Sequence, residues 1–253
     1  MVAGLRFVGI LGCTAWALSG VLIARAFART VDGKRAASTK WTSHWFNSGR
    51  AVIGMNIRVS GPAPPPGAML APNHAGYVDM LTLGSVCNTF FVAKIEIESW
   101  PVVGYLFRLS EHVGVPRSRT RGLIEAIDRV TERLRGGHRV CVFLESTTSG
   151  GGEDLLPFRG AMLQAALEAN APIVPIGITY RVTRPGMDIG EDVAYWKKDH
   201  VFASHVWRLI GLGHVDAEIV FGEPIIPSTQ DRAALADQIR ERVIELRRSA
   251  PSA

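Results

Sequence analysis

The residues of this chain best suited to chemistry are a histidine and an aspartate with four residues between them, in the segment Asn73-His74-Ala75-Gly76-Tyr77-Val78-Asp79. An imidazole titrates near neutral pH and can act as a general base, and a neighbouring carboxylate can orient its ring. On one continuous helix, positions five apart diverge by about 140°. The two side chains can therefore meet only where the chain changes structure, although a capped helix start with an incidental histidine is an alternative.

The sequence on both sides of this pair favours a strand-to-helix junction. Residues 68–71 are short and apolar, as in a buried strand, whereas Met80, Leu81 and Leu83 begin an apolar helical face. Asp79 would then lie in the first helical turn, where a negative charge is favoured. One ring nitrogen of His74 would bind this carboxylate, and the other would face a substrate.

A second segment, residues 142–152, runs from an apolar strand into a loop rich in hydroxyl groups and glycines, and residues 157–161 follow before another helix. Small residues let backbone N–H groups approach an anion closely. With the segment around His74, this pattern resembles the glycerolipid acyltransferases of the lysophosphatidic acid acyltransferase type. Three more parts of the chain match that family in the right order. They are a connecting segment in residues 90–94 and 101–104, an arginine block in 114–117 and a last block in 173–176.

This resemblance, which covers about residues 57–225, implies roles for individual side chains. His74 is the expected base, and Asp79 is expected to fix its tautomer and stabilise the imidazolium. The expected substrate-binding residues are Lys94, Arg117, Glu145, Ser146, Thr147, Thr148 and Arg159. Glu145 is expected to orient its loop, since His74 already supplies a base, and the N–H groups near residues 146–150 to hold an oxyanion or a phosphate.

Some positions depart from the pattern of that family. Leu144 stands where the family usually has proline, Ser146 where it has glycine, and Thr148 where it often has arginine. The missing arginine removes a candidate phosphate clamp, which Arg159 could replace. Lysophosphatidic acid (1-acyl-sn-glycerol 3-phosphate) is the first acceptor that we expect, with lyso-ornithine lipid or another lysophospholipid as the alternative. A non-catalytic membrane lipid-binding protein with a degraded site is the competing class, and the intact His-Asp pair argues against it.

The reaction implied is O-acyl transfer from an acyl thioester, carried by acyl carrier protein or coenzyme A, to a lysolipid hydroxyl. The sequence has no Gly-x-Ser-x-Gly elbow, and none of its 3 cysteines neighbours a histidine. We therefore expect direct transfer without an acyl-enzyme. Histidines at metal-ligand spacing are absent from the sequence, and we expect no cofactor besides the acyl donor.

Composition favours contact with an anionic membrane. Hydrophobic residues make up 47% of the chain, the formal net charge is +5, and the mean hydropathy is +0.15. A basic chain binds anionic surfaces, but no nucleic-acid-binding motif is present. The few, widely spaced cysteines lack the pairing of a disulfide framework or zinc site.

The first part of the chain suggests how it meets that membrane. Residues 7–24 carry no charge. This uncharged run is nearly as long as the stretch of about 20 residues that spans a bilayer. A buried or surface-lying helix and a signal peptide are alternatives to an uncleaved anchor. Lysines and arginines are more frequent after this run than before it, which places the following domain on the cytoplasmic side of the inner membrane. Two tryptophans in residues 37–55 suit an interfacial helix, with packing on the core as the alternative.

Beyond residue 56, strand-like and helix-like segments alternate. The strand-like segments are 56–60, 68–71, 89–93, 112–115, 139–144, 172–180 and 216–221, and helical spacing is found in 123–134, 161–170 and 235–246. This alternation predicts an α/β fold, with a mixed central sheet flanked by helices. We predict a membrane-anchoring helix in residues 1–30, an amphipathic interfacial helix in 31–56 and the acyltransferase domain in 57–253.

Overall fold

The computed structural model describes residues 2–100, 103–116, 120–152, 154–182, 186–194 and 201–249. Its α-helices are α1 (Val2–Phe27), α2 (Val31–Ile53), α3 (Val78–Val86), α4 (Val103–Leu109), α5 (Thr120–Arg135), α6 (Leu163–Ala169), α7 (Phe202–Leu212) and α8 (Arg232–Ser249). Its strands are β1 (Met55–Ser60), β2 (Met69–Pro72), β3 (Phe90–Lys94), β4 (Val113–Val115), β5 (Val140–Cys141), β6 (Ile173–Val182) and β7 (Val215–Phe221).

The strands form one mixed sheet in the order β1-β7-β6-β2-β5-β3-β4. β2 pairs in parallel with β5 and β6, and β3 pairs in parallel with β4 and β5. β7 runs antiparallel to β6 and parallel to β1. The carboxyl ends of the parallel strands therefore share one edge, where open α/β sheets bind their ligands. The predicted fold class is confirmed.

Each face of the sheet is covered by its own apolar core. One core includes Phe46 of α2, Leu83 of α3 and Leu209 of α7. The other includes Val130 of α5 and Ile239 of α8. Strands buried on both faces read as continuous apolar runs rather than as alternating ones, which explains the composition of β2 and β6. The helices on the two faces thus hold in place the edge of the sheet where the parallel strands end.

The first two helices pack on the domain and on each other. Arg6, near the start of α1, donates a hydrogen bond to the Ile210 carbonyl at 2.9 Å. Arg25, near its end, pairs with Glu111 at 2.8 Å. Burial alone would raise the pKa of Glu111, but hydrogen bonds from Arg25 and Arg35 outweigh it and hold that pKa below its ordinary value. Both ends of α1 are therefore tied to the domain.

The tryptophans of α2 lie against α1. A Cβ at Gly20 would collide with the indole of Trp41, so only glycine permits this close approach. The indole N–H of Trp45 donates to Thr14 Oγ1 at 3.0 Å. On its domain side α2 contributes Phe46, which packs edge-on against Phe91. The division into 1–30, 31–56 and 57–253 stays a prediction, with β1 beginning at residue 55.

Most predicted strands and helices are present, with one clear difference. The expected strand 139–144 is paired only over residues 140–141. Val142 still donates to the Leu70 carbonyl at 2.9 Å, but the chain then turns, and this turn carries Glu145 toward His74. The sequence did not indicate α7 or the short π-helix Ile189–Ala194.

Candidate active site

The junction predicted around His74 lies at the carboxyl end of β2. The strand ends at Pro72, and α3 begins at Val78. Between them the buried Asn73 side chain accepts from Ile178 N at 2.7 Å and donates to Ile178 O at 3.0 Å. The side-chain amide thus serves as the hydrogen-bonding partner of the Ile178 backbone, which would otherwise lack one beyond the end of β2. It also fixes the point where the chain leaves the sheet.

The imidazole and carboxylate meet as the spacing predicted. His74 Nδ1 lies 2.8 Å from Asp79 Oδ2, with side-chain exposures of 17% and 0%. A carboxylate accepts, so Nδ1 carries the hydrogen and Nε2 is the unprotonated nitrogen. Nε2 has no hydrogen-bond partner among the residues that the structure describes, and the Phe143 ring stacks on the imidazole at 3.9 Å between centroids. His74 therefore presents one free basic nitrogen at the strand edge.

Gly76 is required between these two residues. Its N–H donates to Asp79 Oδ2 at 3.0 Å. A Cβ at this position would collide with the Ala194 carbonyl oxygen, which is backbone and cannot move cheaply. The π-helix thus packs directly against the loop that joins histidine to aspartate.

Glu145 connects the second loop to the first. Its Oε1 accepts from the His74 N–H at 2.6 Å, and its Oε2 accepts from the Leu156 N–H at 3.0 Å. The residue is only 2% exposed. This burial raises its pKa, although the two N–H donors act in the opposite direction. The arrangement is the one expected of a side chain that orients the loop.

The backbone N–H groups of residues 146–150 are not all available to a ligand. Ser146 N donates to Phe143 O, Ser149 N to His74 O at 2.8 Å, and Gly150 N to Ala75 O at 3.1 Å. In the described part of the chain, the N–H groups of Thr147 and Thr148 have no such acceptor. The N–H groups of Thr147 and Thr148 are therefore the two that remain for the predicted binding of an anion.

Ser146 adopts left-handed backbone geometry, with φ 59. This conformation costs an L-residue about 1–2 kcal/mol, and the family that the sequence resembles has glycine here. Ser146→Gly is expected to raise the free energy of unfolding by about 0.5–1 kcal/mol, after allowing for the greater freedom of glycine in the unfolded chain. Urea unfolding measures it. Thr147→Gly, where φ is not positive, is the control and should lower stability; a Ser146→Gly variant that is no more stable than the wild type contradicts the prediction.

Two of the three predicted cations, by contrast, are exposed rather than buried in the way that Asp79 and Glu145 are. Lys94 is exposed at the end of β3, on the same edge as His74. Arg159 is also exposed, and its backbone N–H donates to Leu144 O at 2.8 Å. Thr148 is half-buried. Arg117 lies outside the described residues.

Three side chains at the site had no role in the sequence prediction: Asn73, Phe143 and Tyr180. Tyr180 donates to Asp79 Oδ1 at 2.7 Å. Alternate residues of a strand lie on the same face of the sheet, and Ile176, Ile178 and Tyr180 share one core, so their spacing could have indicated it. No sequence signal joins Phe143 to His74.

Known proteins resemble this chain over most of its length. Residues 56–179 match the family model described as Acyltransferase. A lyso-ornithine lipid O-acyltransferase of Pseudomonas aeruginosa is 32% identical over 92% of this chain and 86% of its own length. A 1-acyl-sn-glycerol-3-phosphate acyltransferase of Neisseria gonorrhoeae is 31% identical over 76% of this chain and 75% of its own.

The fold has a solved counterpart. The crystal structure of the 1-acyl-sn-glycerophosphate acyltransferase PlsC from Thermotoga maritima covers all of both chains with a TM-score of 0.66, at 17% identity. With the family model and the extended sequence matches, the relationship is established. This chain belongs to the glycerolipid acyltransferase family and is an acyltransferase.

Proposed function

We propose that this acyltransferase moves a fatty acyl group from an acyl thioester, either acyl carrier protein or acyl-coenzyme A, to the free hydroxyl of a lysolipid. One observation carries the proposal. The Nδ1 atom of His74 is held by the buried Asp79 at 2.8 Å, while Nε2 is left to receive a proton. A base fixed in this way suits the activation of a hydroxyl nucleophile.

The steps follow from these positions. The acceptor oxygen attacks the thioester carbonyl carbon while its proton passes to Nε2 of His74. The new C–O bond forms, the C–S bond breaks, and the imidazolium returns the proton to the departing thiolate. Asp79 stabilises the imidazolium, and the N–H groups of Thr147 and Thr148 are the candidate donors to the oxyanion.

Two acceptors are favoured by different observations. Glycerolipid acyltransferases that act on 1-acyl-sn-glycerol 3-phosphate are among the relatives, and Lys94, Arg117 and Arg159 could neutralise its phosphate. Lyso-ornithine lipid acyltransferases match as well. Threonine at position 148, in place of an arginine that would bind a phosphate, favours this second acceptor. We place the phosphate acceptor first and the lyso-ornithine lipid second, ahead of other lysophospholipids.

A panel of lysolipid acceptors, each offered with acyl carrier protein and coenzyme A thioesters, tests the proposal. Mass spectrometry of the lipid product identifies the acceptor and the donor together. Acylation of at least one lysolipid is expected. Binding of lysolipids without any acylation, by folded protein with either donor, would instead support a non-catalytic lipid-binding role.

Arg117→Ala tests the head-group assignment. A hydrogen bond to a charged group is worth about 1.5–3 kcal/mol, so kcat/KM for a phosphate-bearing acceptor should fall about ten- to a hundredfold. The loss should be smaller for an acceptor without phosphate, and Thr148→Arg should favour the phosphate acceptor. Arg121→Ala is the matched control, because its guanidinium pairs with Glu125 in solvent. Equal losses with both acceptors would contradict the assignment.

Membrane contact is proposed through the outward face of α1, on the cytoplasmic side of the inner membrane. Within the described residues, α1 is the one helix that is long and apolar enough to cross a bilayer by length and composition. Because both its ends are tied to the domain, we place its exposed apolar side chains in the boundary between the headgroups and the acyl chains of the anionic bilayer. Val8 and Ile23 are 66% and 59% exposed there.

Charging this face should release the protein from membranes. Val8→Glu with Ile23→Glu is expected to lower the fraction bound to anionic vesicles by about tenfold or more, since a buried charge in lipid costs several kcal/mol. The matched control is Ile226→Glu, which changes a residue that is 60% exposed after β7. Sedimentation with vesicles measures binding, and unchanged binding of the double variant would place the membrane contact elsewhere.

A further inference from the structure

The carboxylate of the dyad has a second contact that the proposed mechanism does not use. Asp79 is fully buried, and its two oxygens have different partners. Oδ2 accepts from His74 Nδ1 and Gly76 N, at 2.8 and 3.0 Å. Oδ1 accepts from the Tyr180 hydroxyl at 2.7 Å. Among the residues that the structure describes, Tyr180 is the single donor to Oδ1.

Tyr180 is well suited to hold that oxygen. The ring lies on β6, 5% exposed, in the same core as Ile176 and Ile178. Burial, with the negative charge of Asp79, raises the pKa of Tyr180 well above its ordinary value. The hydroxyl therefore keeps its hydrogen at working pH and remains a donor. Its oxygen also lies 3.0 Å from Thr82 Oγ1, which fixes it from the other side.

A buried carboxylate needs hydrogen-bond donors to both oxygens, because a buried charged oxygen without a donor lowers the stability of the folded protein. If the donor to Oδ1 were absent, the Asp79 side chain would be free to rotate toward other polar groups. Rotation would break the Oδ2 contact that orients His74. The hydroxyl of Tyr180 thus acts on the imidazole through the carboxylate, without touching substrate.

We propose that Tyr180 is a positioning residue of this acyltransferase, which holds Asp79 Oδ1 so that Oδ2 keeps His74 aimed at the acceptor hydroxyl. It lies one residue beyond the stretch 56–179 matched by the family model. The inference rests on the proposed acyl transfer. It adds β6 to the two loops that build the site, so that a dyad on one strand end depends on a side chain from the neighbouring strand.

A double-mutant cycle tests this role. Tyr180→Phe removes the hydroxyl and keeps the ring; kcat should fall about tenfold, while KM for the acceptor stays within about twofold. The same change made in Asp79→Ala protein should cost less than about twofold, because the hydroxyl then has no carboxylate to position and residues that act as a unit give non-additive losses. A tyrosine that only supports the core would lower kcat by the same factor in both backgrounds.

The controls separate stability from positioning. Thr131→Val removes another buried hydroxyl, one that donates to Ile127 O at 2.9 Å within α5; it should lower the unfolding midpoint without lowering kcat. If Tyr180→Phe does not fold, Tyr180→Met fills the space with a flexible side chain that lacks a donor, and the same comparison applies. Wild-type kcat in folded Tyr180→Phe, or equal losses in both backgrounds, overturns the inference. Absence of acyl transfer by the wild-type chain overturns the proposed function, and the inference with it.

Discussion

Replacing His74 with alanine is expected to lower acyl transfer by about 100- to 10,000-fold, the usual contribution of a positioned general base. The Nε2 atom of His74 is the basic nitrogen that the structure presents at the strand edge, with Nδ1 held by Asp79. The imidazole is 17% exposed and stacks on Phe143. Its loss removes little core packing, so the variant should fold and bind lipid.

The matched control for this variant is His214→Ala, which removes an exposed imidazole from the loop before β7. It should retain wild-type turnover. Turnover is measured with the acceptor and donor identified for the wild type, and folding by circular dichroism and thermal unfolding. A folded His74→Ala protein with near-normal turnover would show that another group accepts the proton.

The sequence predicts the part of the site that depends on local structure. An apolar strand, a break and an apolar helical face are enough to place His74 and Asp79 on either side of a junction, and their spacing requires the break. Alternation of strand and helix patterns likewise predicts the mixed sheet. Parallel strands then bring their carboxyl ends to one edge, which is why Lys94 lies at the same edge as His74.

Contacts between distant segments are what the sequence does not reveal. Nothing in the composition of residues 189–194 indicates that Ala194 packs on Gly76, or that α7 covers this side of the sheet. The left-handed conformation of Ser146 is similarly set by the turn that brings Glu145 under His74. Tertiary packing decides these conformations, and it overrides local preferences.

The loop after β5 illustrates the difference most clearly. Sequence reasoning predicts that N–H groups near residues 146–150 bind an anion, because small residues permit close approach. The fold uses three of them to join this loop to residues 74, 75 and 143. A binding loop must first be held in place, and the donors that hold it are no longer available to a ligand.

The second large effect is expected from Asp79→Asn, and the contacts of the carboxylate determine its form. Asparagine offers one oxygen and one amino group. The Oδ2 position receives two hydrogens, from His74 Nδ1 and Gly76 N, so the oxygen belongs there. The amino group then faces Tyr180, whose hydroxyl can accept it by turning its own hydrogen toward Thr82 Oγ1, 3.0 Å away. The dyad geometry can therefore survive, while the negative charge that stabilises the imidazolium is lost.

Activity of Asp79→Asn should consequently fall by about 100- to 10,000-fold, toward the upper end if the amide flips and forces His74 into the other tautomer. The fold should remain intact because each hydrogen-bonding position has a partner. Asp231→Asn is the matched control: Asp231 caps α8 through the Ala233 and Ala234 N–H groups, and asparagine caps a helix equally well. Turnover and unfolding are measured for both variants. If the negative charge of Asp79 supports the base, its removal must lower activity. A folded Asp79→Asn protein that retains more than about half of wild-type activity would therefore remove Asp79 from the mechanism.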